Sequence, residues 1–325
     1  MSKDKLGPTF AIETLGCKVN QYESSHLIEK LELAGYTRVA FRDRADVYVV
    51  HSCAVTAKAG FQTRQLLRRA KRANPSALVV AAGCYAQMDS GRLAEERLAT
   101  HILGNPGKFD LALWLIKPGS FDMPCRATEQ GSPAFSGFEI IPISEMHTGR
   151  TRAILKIQDG CDSFCSYCIV PLVRGRSRSL PPQSAIAQLE RLMDAGYAEI
   201  VFTGIHLGQW GKDLIPAQSL SSLLRTIGSG AHPARARLSS LEPMEIDPDL
   251  IEVVSSSDWI CKHLHVPLQS GDPDILARMH RPYGPSRYAE LVLRIKEAVP
   301  DAAIGADVLA GFPGENEKQF ENTYQ

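Results

Sequence analysis

At 325 residues, with 44% hydrophobic and 22% charged residues, the chain has the composition of an ordinary soluble globular protein of about two domains. A formal net charge of zero removes any global basic signature for nucleic acid, so contact with RNA has to come from local patches. No apolar run approaches the ~20 residues of a membrane span. The polar start Met1-Ser2-Lys3-Asp4-Lys5 opens no signal segment, so the eight cysteines are expected reduced in a cytoplasmic protein without a membrane partner.

In chain order, an apolar run at 9–15 reads as a strand, followed by a helical pattern from Asn20 to Ala34 that Gly35 stops. A second strand is expected at 46–50 with a helix at 59–73, and a third at 77–82 with a helix at 90–99. Strands separated by helices of this length form a parallel α/β sheet. Cys17, Cys53 and Cys84 then follow the carboxyl ends of three successive strands, the edge at which open parallel sheets bind ligands. A lone cysteine is usually core filler. Three at equivalent strand ends, beside Gly16 and Gly83 or in the polar turn Ser52-Cys53-Ala54, point to a site.

Residues 118–149 carry four prolines and no periodicity and read as a connecting arm, with Cys125 incidental. A second βα series follows, with strands expected at 154–157, 199–202, 237–240, 263–268 and 303–309. Helices are expected between them at 182–195, 219–227, 247–255, 272–280 and 286–298. Repeated units of this kind build a (β/α) barrel or partial barrel with its active residues at the strands' carboxyl ends. Cys261 stands alone in this part and reads as incidental.

The first of these strands delivers Gly160-Cys161-Asp162-Ser163-Phe164-Cys165-Ser166-Tyr167-Cys168. Three thiolates in a C-x3-C-x2-C loop hold three irons of a [4Fe–4S] cube and leave the fourth open, whereas electron carriers normally close all four corners with cysteine. Structural zinc wants four ligands in two pairs, and only Cys165 and Cys168 form such a pair. A disulfide framework belongs to short secreted chains.

This loop resembles the cluster loop of the radical S-adenosylmethionine (SAM) enzymes. The three earlier cysteines resemble the amino-terminal domain of the methylthiotransferases, a subfamily with two [4Fe–4S] clusters. Thr14-Leu15-Gly16-Cys17-Lys18-Val19-Asn20, Ile157-Gln158-Asp159-Gly160-Cys161, Thr203-Gly204-Ile205-His206-Leu207-Gly208 and the run 263–271 look most like its MtaB-type branch. The resemblance implies a methylthiotransferase domain at 8–117 and a radical SAM core of (β/α)6 type at 150–325. The family's last barrel strand and carboxy-terminal TRAM domain have no counterpart before Gln325, so the core is expected to be incomplete and the chain truncated.

The activity implied is addition of a methylthio group to C2 of N6-threonylcarbamoyladenosine beside the tRNA anticodon. The alternatives are N6-isopentenyladenosine as target, disfavoured by Lys18-Val19, and a non-catalytic iron–sulfur RNA-binding protein. The aromatic C2–H has no acidic proton, so the route is radical. By the same resemblance, Cys161, Cys165 and Cys168 hold the catalytic cluster, and Cys17, Cys53 and Cys84 hold the sulfur-carrying one. SAM would meet Tyr167, Thr203, Gly204, Ser239, Glu242 and Gln269. An electron donor such as flavodoxin or ferredoxin and a separate sulfur donor are implied, with the enzyme a monomer. Both open irons are expected to face one cavity.

Arg174 and Arg176, beside the cluster loop, are expected to contact RNA phosphate; so, less distinctively, is the basic helix carrying Arg64, Arg68, Arg69, Lys71 and Arg72.

Overall fold

The computed structural model describes residues 7–116, 138, 151–230 and 234–325. Apart from Phe138, the expected arm at 118–149, with Cys125, lies outside them. In the amino-terminal part, β1 (Thr9–Thr14), β2 (Thr37–Arg38), β3 (Val47–Ser52), β4 (Leu78–Gly83) and β5 (His101–Leu103) form one sheet in the order β2-β1-β3-β4-β5. Every pairing is parallel. The central β3, Val-Tyr-Val-Val-His-Ser, is buried along its whole length, as a strand covered on both faces must be.

The helices divide between the two faces. Phe10, Ile12 and Val49 pack with Leu27 and Leu31 of α1 (Lys18–Leu33), while Ala11, Tyr48 and Val50 pack with Leu67 and Ala70 of α2 (Ala57–Ala73). Helix α2 starts where the Thr56 hydroxyl accepts from the Ala59 amide, 3.1 Å away, and it ends before Pro75. The helix expected at 90–99 is the shorter α4 (Ser90–Glu95), preceded by a separate α3 (Cys84–Met88) from which a bend at Asp89 divides it. Two-residue β2 and three-residue β5 are too short to leave a periodic signal, and the sequence reading missed both. A short α5 (Leu111–Ile116) closes this part against α1.

The second part opens with β6 (Ala153–Lys156) and β7 (Gln158–Asp159), then α6 (Val170–Arg174), β8 (Arg178–Ser179) and α7 (Pro182–Asp194). Strand β9 (Glu199–Thr203) pairs in parallel with both β6 and β10 (Arg235–Leu238). Beyond α8 (Leu220–Gly228) and α9 (Pro248–Ser256), β11 (His263–His265) pairs in parallel with β12 (Ala303–Gly305). A bridge between Ala236 and Ile260 joins these two sheets into one arc, and α10 (Pro273–Arg278), α11 (Pro285–Ala298) and α12 (Glu317–Tyr324) complete the alternation.

Strands β11 and β12 are shorter than expected, and β10 keeps its expected length two residues earlier in the chain. Strand β10 ends two residues before 240, and β11 stops at His265, since Pro267 has no amide to donate to a continuing ladder. The core of the arc is apolar: Leu155, Phe202 and Trp210 are fully buried, and the Trp210 indole donates to the Leu180 carbonyl at 2.9 Å.

A polar seam joins the two parts. Glu23 on α1 is fully buried and accepts from Lys108 (2.7 Å), Lys156 (3.1 Å) and Arg174 (3.0 Å). Asp159 takes Lys156 and Arg174 from the other side, at 3.1 Å and 3.0 Å. Burial alone would raise the Glu23 carboxyl, but Arg174, Lys108 and Lys156 hold it well below the usual carboxylate range; Asp159 is lowered likewise, by Lys156 and Arg174 against its burial.

Replacing Glu23 by Ala leaves three buried cations with one carboxylate between them, a change of ~3–5 kcal/mol. Urea unfolding followed by circular dichroism should show that loss, and a loss under ~1 kcal/mol would contradict it. Since both carboxyls are depressed, the stability they contribute is complete above about pH 4.5 and drains only as pH falls below it.

Candidate active site

The tight cysteine loop hangs between β7 and β8, whose antiparallel pairing matches Gln158 with Ser179 and Asp159 with Arg178. Its start needs Gly160. With φ at +74°, a Cβ there would lie 1.9 Å from the Arg176 carbonyl oxygen. The Cys161 amide donates to the Gly175 carbonyl at 3.0 Å, and the Cys168 amide to the Cys165 carbonyl at 2.9 Å. Gln158, fully buried, ties this loop to the next strand end. Its amide donates to the Gly160 carbonyl (2.8 Å) and the Ser177 hydroxyl (3.0 Å), and its carbonyl accepts from the His206 amide (2.7 Å).

Two of the three thiols have a cation beside them. Cys161 Sγ lies 3.3 Å from His206 Nδ1, and His206 Nε2 lies 2.6 Å from a Glu245 carboxylate oxygen. Burial works against the imidazolium, but bonds to Cys161 and Glu245 outweigh it and push His206 up to about 10. In turn, Cys161 is lowered against its burial by His206 and by the Ser163 amide. Arg281 Nη1 approaches Cys165 Sγ at 3.4 Å while its Nη2 pairs with Glu242 at 3.0 Å. Cys168 is raised: burial is the largest cause, and with the Cys165 and Cys161 thiolates it outweighs what the Val170 amide and the Arg281 charge take back.

Beside these thiols lies a cavity of about 260 Å³, lined by Ser163, Cys165, His206, Glu242, Arg281 and Tyr283 among others. Of the residues expected to hold SAM, Glu242 lines it directly. Tyr167 is close enough to Arg281, Cys165 and Glu242 to feel their charges, and burial raises its phenol. The Ser239 hydroxyl is buried without a hydrogen-bond partner among the described residues. Thr203 is buried at the end of β9, and Gly204 packs on Gln158, whose Oε1 would lie 2.8 Å from an added Cβ. Gln269 sits apart from the cavity lining, in a left-handed conformation (φ +66°), bonded through its backbone to Asp307 and Leu309.

Arg174 does not fit its expected role. It is 1% exposed, with its guanidinium spent on Asn20 (2.6 Å), Glu23 and Asp159, so it locks the seam and cannot reach RNA. Arg176 is exposed, paired with Asp162 at 3.1 Å and lying over the Phe164 ring.

The spread cysteines gather at the carboxyl edge of the amino-terminal sheet. Gly16 (φ +99°) lets the turn at Cys17 press on Cys53, whose Sγ would stand 2.7 Å from a Cβ at position 16. Burial raises the Cys53 thiol, with Cys84 and Cys17 adding to the rise. His51, two residues before Cys53, is fully buried, 2.7 Å from the Ser24 hydroxyl and 3.5 Å from Glu23. Burial and Lys108 push it down to about 3, so it stays neutral in the seam.

Asn105 ties Cys84 to the helix that follows the tight loop: its amide donates to Cys84 Sγ at 3.5 Å and to the Val173 carbonyl on α6 at 2.7 Å. Among the described residues no three His, Cys, Asp or Glu side chains converge on a point that would hold a single ion. A cubane asks for something else, one thiolate on each of three irons.

Comparison with known proteins agrees with this geometry. Residues 9–104 match the uncharacterized protein family UPF0004, and residues 155–325 match the radical SAM superfamily. A Bacillus subtilis protein named threonylcarbamoyladenosine tRNA methylthiotransferase MtaB is 38% identical over 317 residues, covering 97% of this chain and 70% of the relative. The Aquifex aeolicus protein of the same name is 36% identical, covering 97% of this chain and 76% of the relative. The solved cobalamin- and [4Fe–4S]-bound radical SAM methyltransferase TsrM from Kitasatospora setae superposes with a TM-score of 0.67 at 16% identity, over 96% of this chain and 71% of that one. That likeness extends the fold assignment to both parts. The radical SAM match implies one [4Fe–4S] cluster and SAM.

His206, Arg281, Gln158 and Asn105 were missed as site residues. The first and third stand inside quoted motifs, but nothing in a sequence tells that a histidine faces a thiol.

In the iron-free protein, Cys161 should be alkylated by iodoacetamide at pH 7.5 before Cys168, because the thiolate is the reactive form. His206→Ala should slow Cys161 about tenfold. Peptide mass spectrometry reads both, and an unchanged Cys161 rate would contradict the pairing.

Proposed function

This chain belongs to the radical SAM methylthiotransferases, and we propose that it adds a methylthio group to C2 of N6-threonylcarbamoyladenosine in tRNA. The observation that supports this reading is the pair of thiol triads, one at the carboxyl edge of the amino-terminal parallel sheet and one in the loop between β7 and β8, with Asn105 bonded to Cys84 and to Val173 just beyond the second. Relatives carrying the threonylcarbamoyladenosine name supply the nucleoside.

In this reading Cys161, Cys165 and Cys168 hold the cluster that SAM joins, and Cys17, Cys53 and Cys84 hold a second. A cluster held by Cys161, Cys165 and Cys168 would supply one-electron chemistry to SAM, the kind needed at an unactivated position. The protein's own part is to bind, orient and keep water away. Glu242, raised by burial and held by Arg281, meets polar atoms of SAM at the cavity wall. Ser239 offers its unpartnered hydroxyl, Thr203 and Gly204 offer backbone groups, and Tyr167 offers a flat face. Gln269 belongs to this set only if SAM extends past the present cavity lining. His206 and Arg281 offset the charge of Cys161 and Cys165 in the low-dielectric site. Arg176 remains the exposed guanidinium beside the loop for RNA phosphate. Electrons and sulfur come from separate donors.

The test is mass spectrometry of tRNA nucleosides from a host without its own methylthiotransferases that expresses this chain. The expected product is 2-methylthio-N6-threonylcarbamoyladenosine, lost on Cys84→Ala. A methylthio group on isopentenyladenosine alone would overturn the nucleoside assignment, and the absence of any methylthio product would overturn the reading.

A further inference from the structure

Helix α2 carries a second polar feature that neither cysteine set uses. Along one side of it runs a groove of about 660 Å³ whose lining includes Phe61, Gln62, Gln65, Arg69, Arg72 and Glu13. Positions 61, 65, 69 and 72 repeat at three to four residues and so share a face. From 61 to 72 that face spans about 16 Å at 1.5 Å per residue, room for a few nucleotides.

Of the basic residues on this helix, several are engaged within the protein. Arg68 pairs with Glu96 at 2.7 Å, Arg64 lies against Tyr85, and Lys71 donates to the Arg97 carbonyl. Arg69 and Arg72 are exposed and have no acidic partner among the described residues. Phe61 is 51% exposed, an aromatic ring left at the surface in the same groove. The groove is close to the thiols along the chain: α2 begins four residues after Cys53, and Leu15, two residues before Cys17, lines it too.

Resting on the RNA-modifying reading above, we propose that this face of α2 is a single-stranded RNA track that carries the nucleotides flanking the target adenosine away from the Cys17/Cys53/Cys84 site. Phe61 stacks a base, Arg69 and Arg72 take successive phosphates, and Gln62 and Gln65 meet base edges. Glu13, the acid in the lining, accepts from an exocyclic amine and repels phosphate, which orients the strand with its backbone toward Arg69 and Arg72. Charge complementarity favours RNA here over an acidic peptide, because an exposed aromatic among amides offers stacking that a peptide carboxylate does not need.

The experiment measures binding of a fluorescent anticodon stem-loop RNA by anisotropy over a range of salt, using the full chain. Circular dichroism and iron content report that each variant is folded. Arg69→Ala with Arg72→Ala should weaken binding about tenfold and flatten the log–log salt slope by about 1.4, the counterion share of two phosphates on a single strand. Phe61→Ala should weaken binding about tenfold with the slope unchanged. Arg287→Ala with Arg294→Ala on α11 removes the same charge elsewhere and should leave both quantities as they were. If the unaltered protein binds RNA and the α2 variants match it in affinity and slope, the track is wrong and the proposed function stands. If a folded, iron-loaded protein binds no RNA, the proposed function falls and the track with it.

Discussion

The buried ion cluster around Glu23 is the constraint on which both cysteine sets depend. Charges out of water are costly, and a cluster of them is tolerated only when every member is paired. Here Glu23 and Asp159 face Lys108, Lys156 and Arg174, drawn from both parts of the chain. Glu23 stands six residues after Cys17 on α1, and Arg174 stands six residues after Cys168 at the end of α6. The ion cluster therefore fixes the registry of one thiol set against the other. An apolar seam could slide; a set of charges that must all be matched cannot do so without leaving one unpaired.

Around that fixed frame the thiols differ in ways that follow from their neighbours. Cys161 has a charged imidazole and Cys165 a guanidinium in contact, while Cys168 is raised by burial and by the other two thiolates. Cation–thiolate contacts of this kind set how readily a cluster accepts an electron. Arg281 also holds Glu242 at the cavity wall, so the same side chain touches a cysteine of the tight loop and a wall of the cavity beside it. Loss of Arg281 would then disturb both.

Much of this was legible in the sequence because its signals are local. Strand–helix alternation with cysteines at strand ends gave the parallel sheet, and C-x3-C-x2-C gave the cluster loop. What failed was whatever depends on distant partners. Arg174 reads as a surface cation beside Arg176, and only the fold reveals that Glu23, 151 residues away, buries it. Lys108 and Lys156 look like ordinary surface lysines in sequence and lie at the centre of the seam. No sequence pattern tells that the His51 ring, two residues before Cys53, sits between Ser24 and Glu23. Strand ends were misjudged where a proline or a bend, rather than composition, stops the ladder.

The central claim is that the two thiol triads each hold a cluster. Its most direct test is iron analysis with Mössbauer spectroscopy on protein reconstituted without oxygen. The account predicts about eight irons per chain, as two [4Fe–4S] clusters, and about four when Cys17, Cys53 and Cys84 are all replaced by Ala. About four irons in the unaltered chain, unchanged by that triple replacement, would contradict it.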